Sequence, residues 1–484
     1  LIALPLALVA AATALLYRWL DGAGWSRGER LRWALAWAPA LAFGVPSCGF
    51  FLARWCGIDG VLPWSLTSAS VVALLELAVR GKRRNRHVAT LPAAVADTPG
   101  RATKALSAAA ALLLAITALE LSDSFRTWSR AQPDGMWDAV AIWNAGARFL
   151  VRADAERLPE LFGALREGHP EYPLLLGAGV AAQWELAGAE STAVPLGMSL
   201  GFAIGLAAAL HLLVRTAGSA LFAVPAVLLV FSTPAVWKWA FAQVADLPLA
   251  YLAVAAALPL AAALEGRLPS PPPVLSGFVL GLLPWVKSEG ALMAATLVGL
   301  FLALRFVGRE RLRTMGDPPS KPARRVLLYA LGALPGLLSL ALFKLTWAPP
   351  VPDRASFLRS GGKVAALLDG ERWRLVAKST LNQVDPATGA ELWGWSWALL
   401  AVGLLFWGAR LGRRASPGAV LLASTATVIC CLYALAFVLS PFDLAWHLGS
   451  ALDRLLLHVL PLLTAAVFAL AGERATPATP DRPV

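Results

Sequence analysis

Charged side chains make up only 15% of this 484-residue chain, so the ionisable groups that interrupt its apolar runs are the first candidates for chemistry. The stretch PDGMWDAVAIWNAGARFL, residues 133–150, carries Asp134 and Asp138 where a surface helix is expected to begin, near Trp137. A carboxylate in that position either caps the helix or, held at a membrane face, takes a proton from an attacking hydroxyl as a general base. Twenty residues on, HPEYPLLL (169–176) holds His169 and Glu171 at the membrane surface, because Pro170 and Pro173 bar an ordinary helix from starting before Pro173. Asp246 opens the run VADLPLAY, and Lys287 with Glu289 interrupts LPWVKSEGAL. Ionisable groups at membrane depth are costly and by default mark a functional polar cavity, the alternative being a short loop or mutual pairing. In FDLAWHLGSALDRLLLHVLP (442–461), His447, Asp453 and Arg454 stand at the entrance of the last apolar run. There Arg454 either snorkels to lipid headgroups or clamps a phosphate.

The elements that must position these groups are membrane spans. The chain is 58% hydrophobic against roughly 45–50% for a soluble domain, and apolar runs near 20 residues recur from end to end, about thirteen in all. That predicts an all-α, polytopic helical membrane protein of about thirteen spans. No ten-residue alternation repeats, which excludes a transmembrane β-barrel. The net charge of +12 comes from basic residues in short loops beside the spans, as membrane orientation requires, and excludes a nucleic-acid partner. The four cysteines, Cys48, Cys56, Cys430 and Cys431, lack zinc or disulfide spacing. Leu1–Leu20 reads as a retained span.

Basic connections at Arg80–Arg86, Arg309–Arg325 and Arg410–Arg414 should face the cytoplasm. Two long connections, 123–172 and 347–391, then fall on the outer face, where chemistry should be sought. Two topologies fit. In the favoured one, 173–187 does not fully cross, 274–305 breaks near Lys287, and Asp246 emerges outside. In the other, 173–187 crosses, 274–305 is one helix, and Asp246 lies inside. The expected organisation is an N-terminal three-span addition with its basic loop (1–104), a membrane core with the first outer loop (105–346), a second outer loop (347–393), and C-terminal spans with a cytoplasmic tail (394–484).

Taken in order, these pieces resemble the GT-C superfamily, membrane glycosyltransferases using polyprenyl-phosphate-linked sugars, which include protein O-mannosyltransferases and the lipid A aminoarabinose transferase. The resemblance covers roughly residues 105–465. Asp138 followed by AVAIWNAGAR occupies the stretch of the family's catalytic first-loop acid, and HPEYPLLL resembles its His/Lys-Pro-Pro-Leu stretch. Asp246 resembles its second acidic position, Lys287 its intramembrane lysine, and DRLLLHVLP its late arginine-containing stretch. The family's Asp-Glu pair is absent, since Ala139 follows Asp138 and Gly135 follows Asp134, which leaves either Asp as the base.

The resemblance implies sugar transfer at the outer face of a bacterial cytoplasmic membrane, with a hydroxyl-bearing glycan, lipid or protein as acceptor. Asp138, or Asp134, would act as base, with Lys287, Arg454 and His169 around the leaving phosphate. No metal cluster is evident, although Asp138, His169, Glu171 and Asp246 could converge on a divalent ion. Two rival classes are a transporter or flippase for a lipid-linked substrate and a non-catalytic membrane subunit or polysaccharide polymerase. Inverted repeats would favour the transporter, and a lipid-facing Asp138 would favour either rival.

Overall fold

The computed structural model describes residues 1–21, 25–80, 101–164, 169–266, 271–307, 322–349, 362–408 and 415–472, and every regular element among them is helical. The chain opens with α1 (Ala3–Trp19), α2 (Arg27–Trp55), α3 (Val61–Arg80) and α4 (Arg101–Ser124). Short helices follow: α5 (Asn144–Arg152), α6 (Leu158–Ala164) and α7 (Leu175–Ala187). The centre comprises α8 (Ala193–Ala217), α9 (Ala223–Phe231), α10 (Pro234–Phe241), α11 (Asp246–Glu265), α12 (Pro273–Val286), α13 (Ser288–Val307) and α14 (Pro322–Thr346). The final part runs through α15 (Gly362–Leu368), α16 (Gly370–Val384), α17 (Ala390–Trp393), α18 (Ser396–Trp407), α19 (Pro417–Val438) and α20 (Leu444–Ala471).

The axis of the assembly is α11, whose most apolar window is 94% buried, whereas α3, α13 and α14 bury only 22%, 17% and 22% of theirs. Apolar surface left outward on the peripheral helices is what lipid contact requires, and an all-apolar helix wrapped by others is central. Because α11 is rich in alanine, α8, α12, α19 and α20 pack closely against it. Tyr251 of α11 fixes the join with α2: its hydroxyl accepts from Ala40 N–H at 3.1 Å and donates to Ala36 C=O at 2.9 Å. Those two groups are i and i−4 partners in a helix, so the hydroxyl sits in the ladder of α2 beside Pro39, where an intrahelical donor is already missing.

A second join is built from glycine. Gly277 and Gly281 of α12 face Gly332 and Gly336 of α14, and a Cβ added at Gly332 would lie 1.9 Å from the Val274 carbonyl oxygen. Small residues four apart let two backbones touch where hydrophobic driving force between helices is weak.

Among the described residues, eight helices are long and apolar enough to cross a membrane, or nine if the bent pair of α9 (with its preceding turn) and α10 counts as one, and they make the chain an integral membrane protein. Helix length among the described residues does not confirm the expected count of about thirteen spans. Segments 1–20, 274–286 and 394–409 form helices shorter than 18 residues, and α7 has only 13. At 1.5 Å per residue, α7 covers about 20 Å of a roughly 30 Å core. The segment 274–305 is not one helix but breaks at Lys287, whose backbone is extended (φ −161°, ψ 154°). The described residues of segment 347–393 are largely helical, in α15, α16 and α17. Residues 81–100, 308–321 and 409–414, which carry most of the basic connections, lie outside the described residues.

Candidate active site

Asp138 lies just before a π-helical turn, Ala139–Trp143, that runs into α5. It occupies the cap position yet accepts no capping hydrogen bond, so helix capping does not account for it. The turn before it is pinned in place. Met136 N–H donates to the Ala242 carbonyl at 3.1 Å, and the Gln243 amide donates to the Pro133 carbonyl at 3.0 Å. Gly135 has φ +81°, and a Cβ there would meet the Ala242 oxygen at 2.6 Å, so glycine is needed for this contact. Gln243 itself has φ +58°, an uncommon conformation for a residue with a side chain. The Pro133–Met136 turn is thus locked to the turn that starts α11, which brings Asp138 near Asp246.

Asp246 is the first residue of α11 and is 1% exposed. Lys287 emerges from the break between α12 and α13 and donates to Asp246 Oδ1 at 2.8 Å. Glu289 lies 3.3 Å from the same ammonium. His458, with no exposed surface, places Nε2 2.9 Å from Asp246 Oδ1 and Nδ1 3.0 Å from the Tyr433 hydroxyl. Arg454 sits one turn before His458 on α20, a spacing that puts both on one face. Its Nη1 pairs with Asp138 Oδ2, and its Nε lies 3.8 Å from Asp246 Oδ2. That Nε is buried and makes no hydrogen bond.

The cluster is graded in exposure. Lys287 and Asp246 have 3% and 2% of their side-chain surface accessible, against 17% and 22% for Arg454 and Asp138. One end is closed and dry; the Asp138 end opens outward. Trp239 forms part of the wall, with the Lys238 ammonium 4.4 Å and the Arg454 guanidinium 5.7 Å from its ring. Lys238 pairs with Asp453 at 3.3 Å.

Four of the expected residues, Asp138, Asp246, Lys287 and Arg454, therefore meet directly. His169 and Glu171 form a neighbouring pair, with Nδ1 and Oε1 3.4 Å apart. The His169 ring stacks on Tyr172 at 4.6 Å, and Tyr172 in turn stacks on Trp143. Lys344 of α14 donates to the Glu171 carbonyl. Burial, reinforced by the Glu289 charge, pushes the Tyr172 hydroxyl up to about 12, which keeps it a neutral donor at the cluster's edge.

Asp134 is the exception. It is half exposed and faces Arg148 at 3.9 Å rather than the cluster, because the turn at Gly135 separates it from the helix that carries Asp138. His458, Tyr433 and Tyr172 were missed as site residues. The His458 imidazole and the Tyr433 phenol, each within an apolar helix, read as ordinary packing, Tyr172 stood in HPEYPLLL without a role of its own, and the one available signal was the i, i+4 spacing of Arg454 and His458.

Asp138, His169, Glu171 and Asp246 do not converge into one ligand set. Asp246 is already engaged by Lys287 and His458 and Asp138 by Arg454, and among the described residues no three His, Cys, Asp or Glu side chains gather as a metal site. Searches of protein-family models, curated proteins and solved structures found no match for this chain.

The position of Asp246 bears on topology. Through Arg454 it shares one end of the bundle with Asp138, and Lys287 marks a break. The alternative that keeps 274–305 continuous and sends Asp246 to the opposite face is therefore excluded.

Proposed function

We propose that the chain is a membrane glycosyltransferase that moves a sugar from a polyprenyl-phosphate monosaccharide to a hydroxyl of a glycan, lipid or protein, with inversion, at the outer face of a bacterial cytoplasmic membrane. In this reading the shorter apolar helices complete about thirteen crossings in a locally thinned bilayer, and the 123–172 and 347–393 regions face outward. One observation carries it: Arg454 bridges a partly exposed carboxylate, Asp138, and a buried one, Asp246, while keeping an unbonded N–H at the junction. A base and cations for a leaving phosphate are then within one side chain of each other.

The chemistry follows from that arrangement. The acceptor oxygen attacks the anomeric carbon, forming the new glycosidic bond as the bond to phosphate oxygen breaks. The electron pair leaves on the phosphate, and the acceptor proton passes to Asp138. Arg454, Lys287 and, from the edge, His169 stabilise charge that grows on the phosphate, more in the transition state than in the ground state. A bound donor phosphate competes with Asp138 for Arg454, so donor binding frees the carboxylate to act as base. Asp246 holds both cations in place, and Glu171 and Tyr172 wall the acceptor side.

The break at Lys287 and the 62° bend between α9 and α10 favour a second reading, a transporter or flippase of a lipid-linked substrate, since such proteins interrupt helices at their binding sites. The two differ in covalent outcome. Purified protein supplied with a total extract of lipid-linked sugars and acceptors should release free polyprenyl phosphate, detected by mass spectrometry. Asp138→Asn should slow that release by about 10²–10⁴-fold. Lipid-linked sugar recovered intact with the wild-type chain would favour the transporter.

A further inference from the structure

We propose that the surface helix following Asp138 also carries a binding site for the phosphate of an anionic membrane lipid, separate from the transfer chemistry. A groove of about 330 Å³ is lined by Arg148, Arg152, Arg157, Phe149 and Leu161, with Ala145 and Ala153 beside them. Arg148 and Arg152 lie one turn apart on α5, and Arg157 ends the short turn Ala155–Arg157. Three guanidinium groups around one groove repel each other unless an anion joins them.

Glu190 answers only part of this charge. Arg152 donates to both its carboxylate oxygens, at 2.6 and 2.7 Å. Arg148 lies 3.7 Å from Glu190 and 3.9 Å from Asp134, beyond hydrogen-bond length. Among the described residues, no acidic side chain pairs with Arg157. Arg148 and Arg157 thus present donors suited to bidentate phosphate contact.

The floor of the groove selects a lipid over a soluble anion. Phe149 and Leu161 offer apolar surface that a free phosphate would not use. Trp137 and Val140, at the start of the same helical stretch, are 60% and 41% exposed, as suits a helix lying at the bilayer interface. A phosphate between Arg148 and Arg157, with glycerol and acyl carbons on Phe149 and Leu161, satisfies both halves of the groove.

The test titrates the full-length chain in detergent with short-chain phosphatidylglycerol, short-chain phosphatidylcholine and inorganic phosphate, following heat of binding at low and high salt. The expected result is a saturable, salt-sensitive isotherm for phosphatidylglycerol alone, weakened at least about tenfold in the Arg148→Gln/Arg157→Gln double variant. Equal binding by the double variant, or equal binding of phosphatidylcholine, overturns the site. Inorganic phosphate binding as tightly as the lipid overturns the lipid assignment. If the double variant loses its thermal transition, Arg157→Gln alone decides. This exposed substitution must still weaken phosphatidylglycerol severalfold, and unchanged binding sinks the proposal.

Discussion

Asp246 is the side chain on which Lys287, His458 and Arg454 converge, and its burial makes each of them consequential. Lys287→Met should leave a buried carboxylate undercompensated and cost about 3–5 kcal/mol of stability. Adding Asp246→Asn to that variant should restore much of the loss, a coupling readable as a rise in unfolding temperature in detergent. Additive losses would mean that the two residues do not share an ion pair. Arg454→Lys keeps the charge but loses the planar fork that spans two carboxylates, so transfer should fall by about 10²–10³-fold while the thermal transition is retained. Asp138, Asp246, Lys287 and Arg454 were legible because a charge inside an apolar run is conspicuous. Asp134 was read beside Asp138 as an alternative base because both stand near the start of one helix, and the structure turns it toward Arg148 instead. His458 and Tyr433 were illegible for the opposite reason: uncharged groups that hydrogen-bond inside a bundle look like packing.

The helices that hold these residues are fixed by a few specific contacts. Tyr251→Phe would strip the hydroxyl from between Ala36 and Ala40 and leave buried backbone groups of α2 without a partner, a loss of about 1–3 kcal/mol. An unchanged unfolding temperature would show that the helix closes its own ladder there. Gly332→Leu should separate α12 from α14, because its Cβ alone would collide with Val274 backbone. As α12 ends at Lys287, the variant should lose both folded yield and activity, measurable by size-exclusion profile and transfer assay. The apolar runs of α2, α8, α11, α14 and α19 were readable from hydropathy. Hydropathy also bounded α1, α7 and α18 to within a few residues, and Lys287 marked where α12 gives way to α13, but it counted α1, α12 and α18 as spans although each is shorter than 18 residues. Hydropathy measures what a run is made of, whereas the break at Lys287 and the bend after Phe231 are set by proline, buried charge and tertiary contact. The helices within segment 347–393 were likewise hidden, since α16 is polar and docks through Arg372 donating to the Val438 and Ser440 carbonyls.

At the scale of the molecule, the two ends of the bundle differ. Asp138, Asp246, Lys287 and Arg454 gather at one end, where α16 also docks, whereas Glu265 of α11 accepts from Gly418 N–H at the other. In a background lacking the four native cysteines, cysteines placed at Asp154 and Asp385 should react with a membrane-impermeant reagent from one side, and a cysteine at Ser219 from the other. Labelling of all three from one side would overturn the bundle's orientation. The central claim is that the carboxylate of Asp138 serves sugar transfer, and mass spectrometry of cell-envelope glycans and glycoproteins tests it most directly. Deletion of the gene should remove one sugar modification, the wild-type chain should restore it, and Asp138→Asn at equal abundance should not. Full restoration by Asp138→Asn, or an envelope unchanged by deletion, would contradict the account.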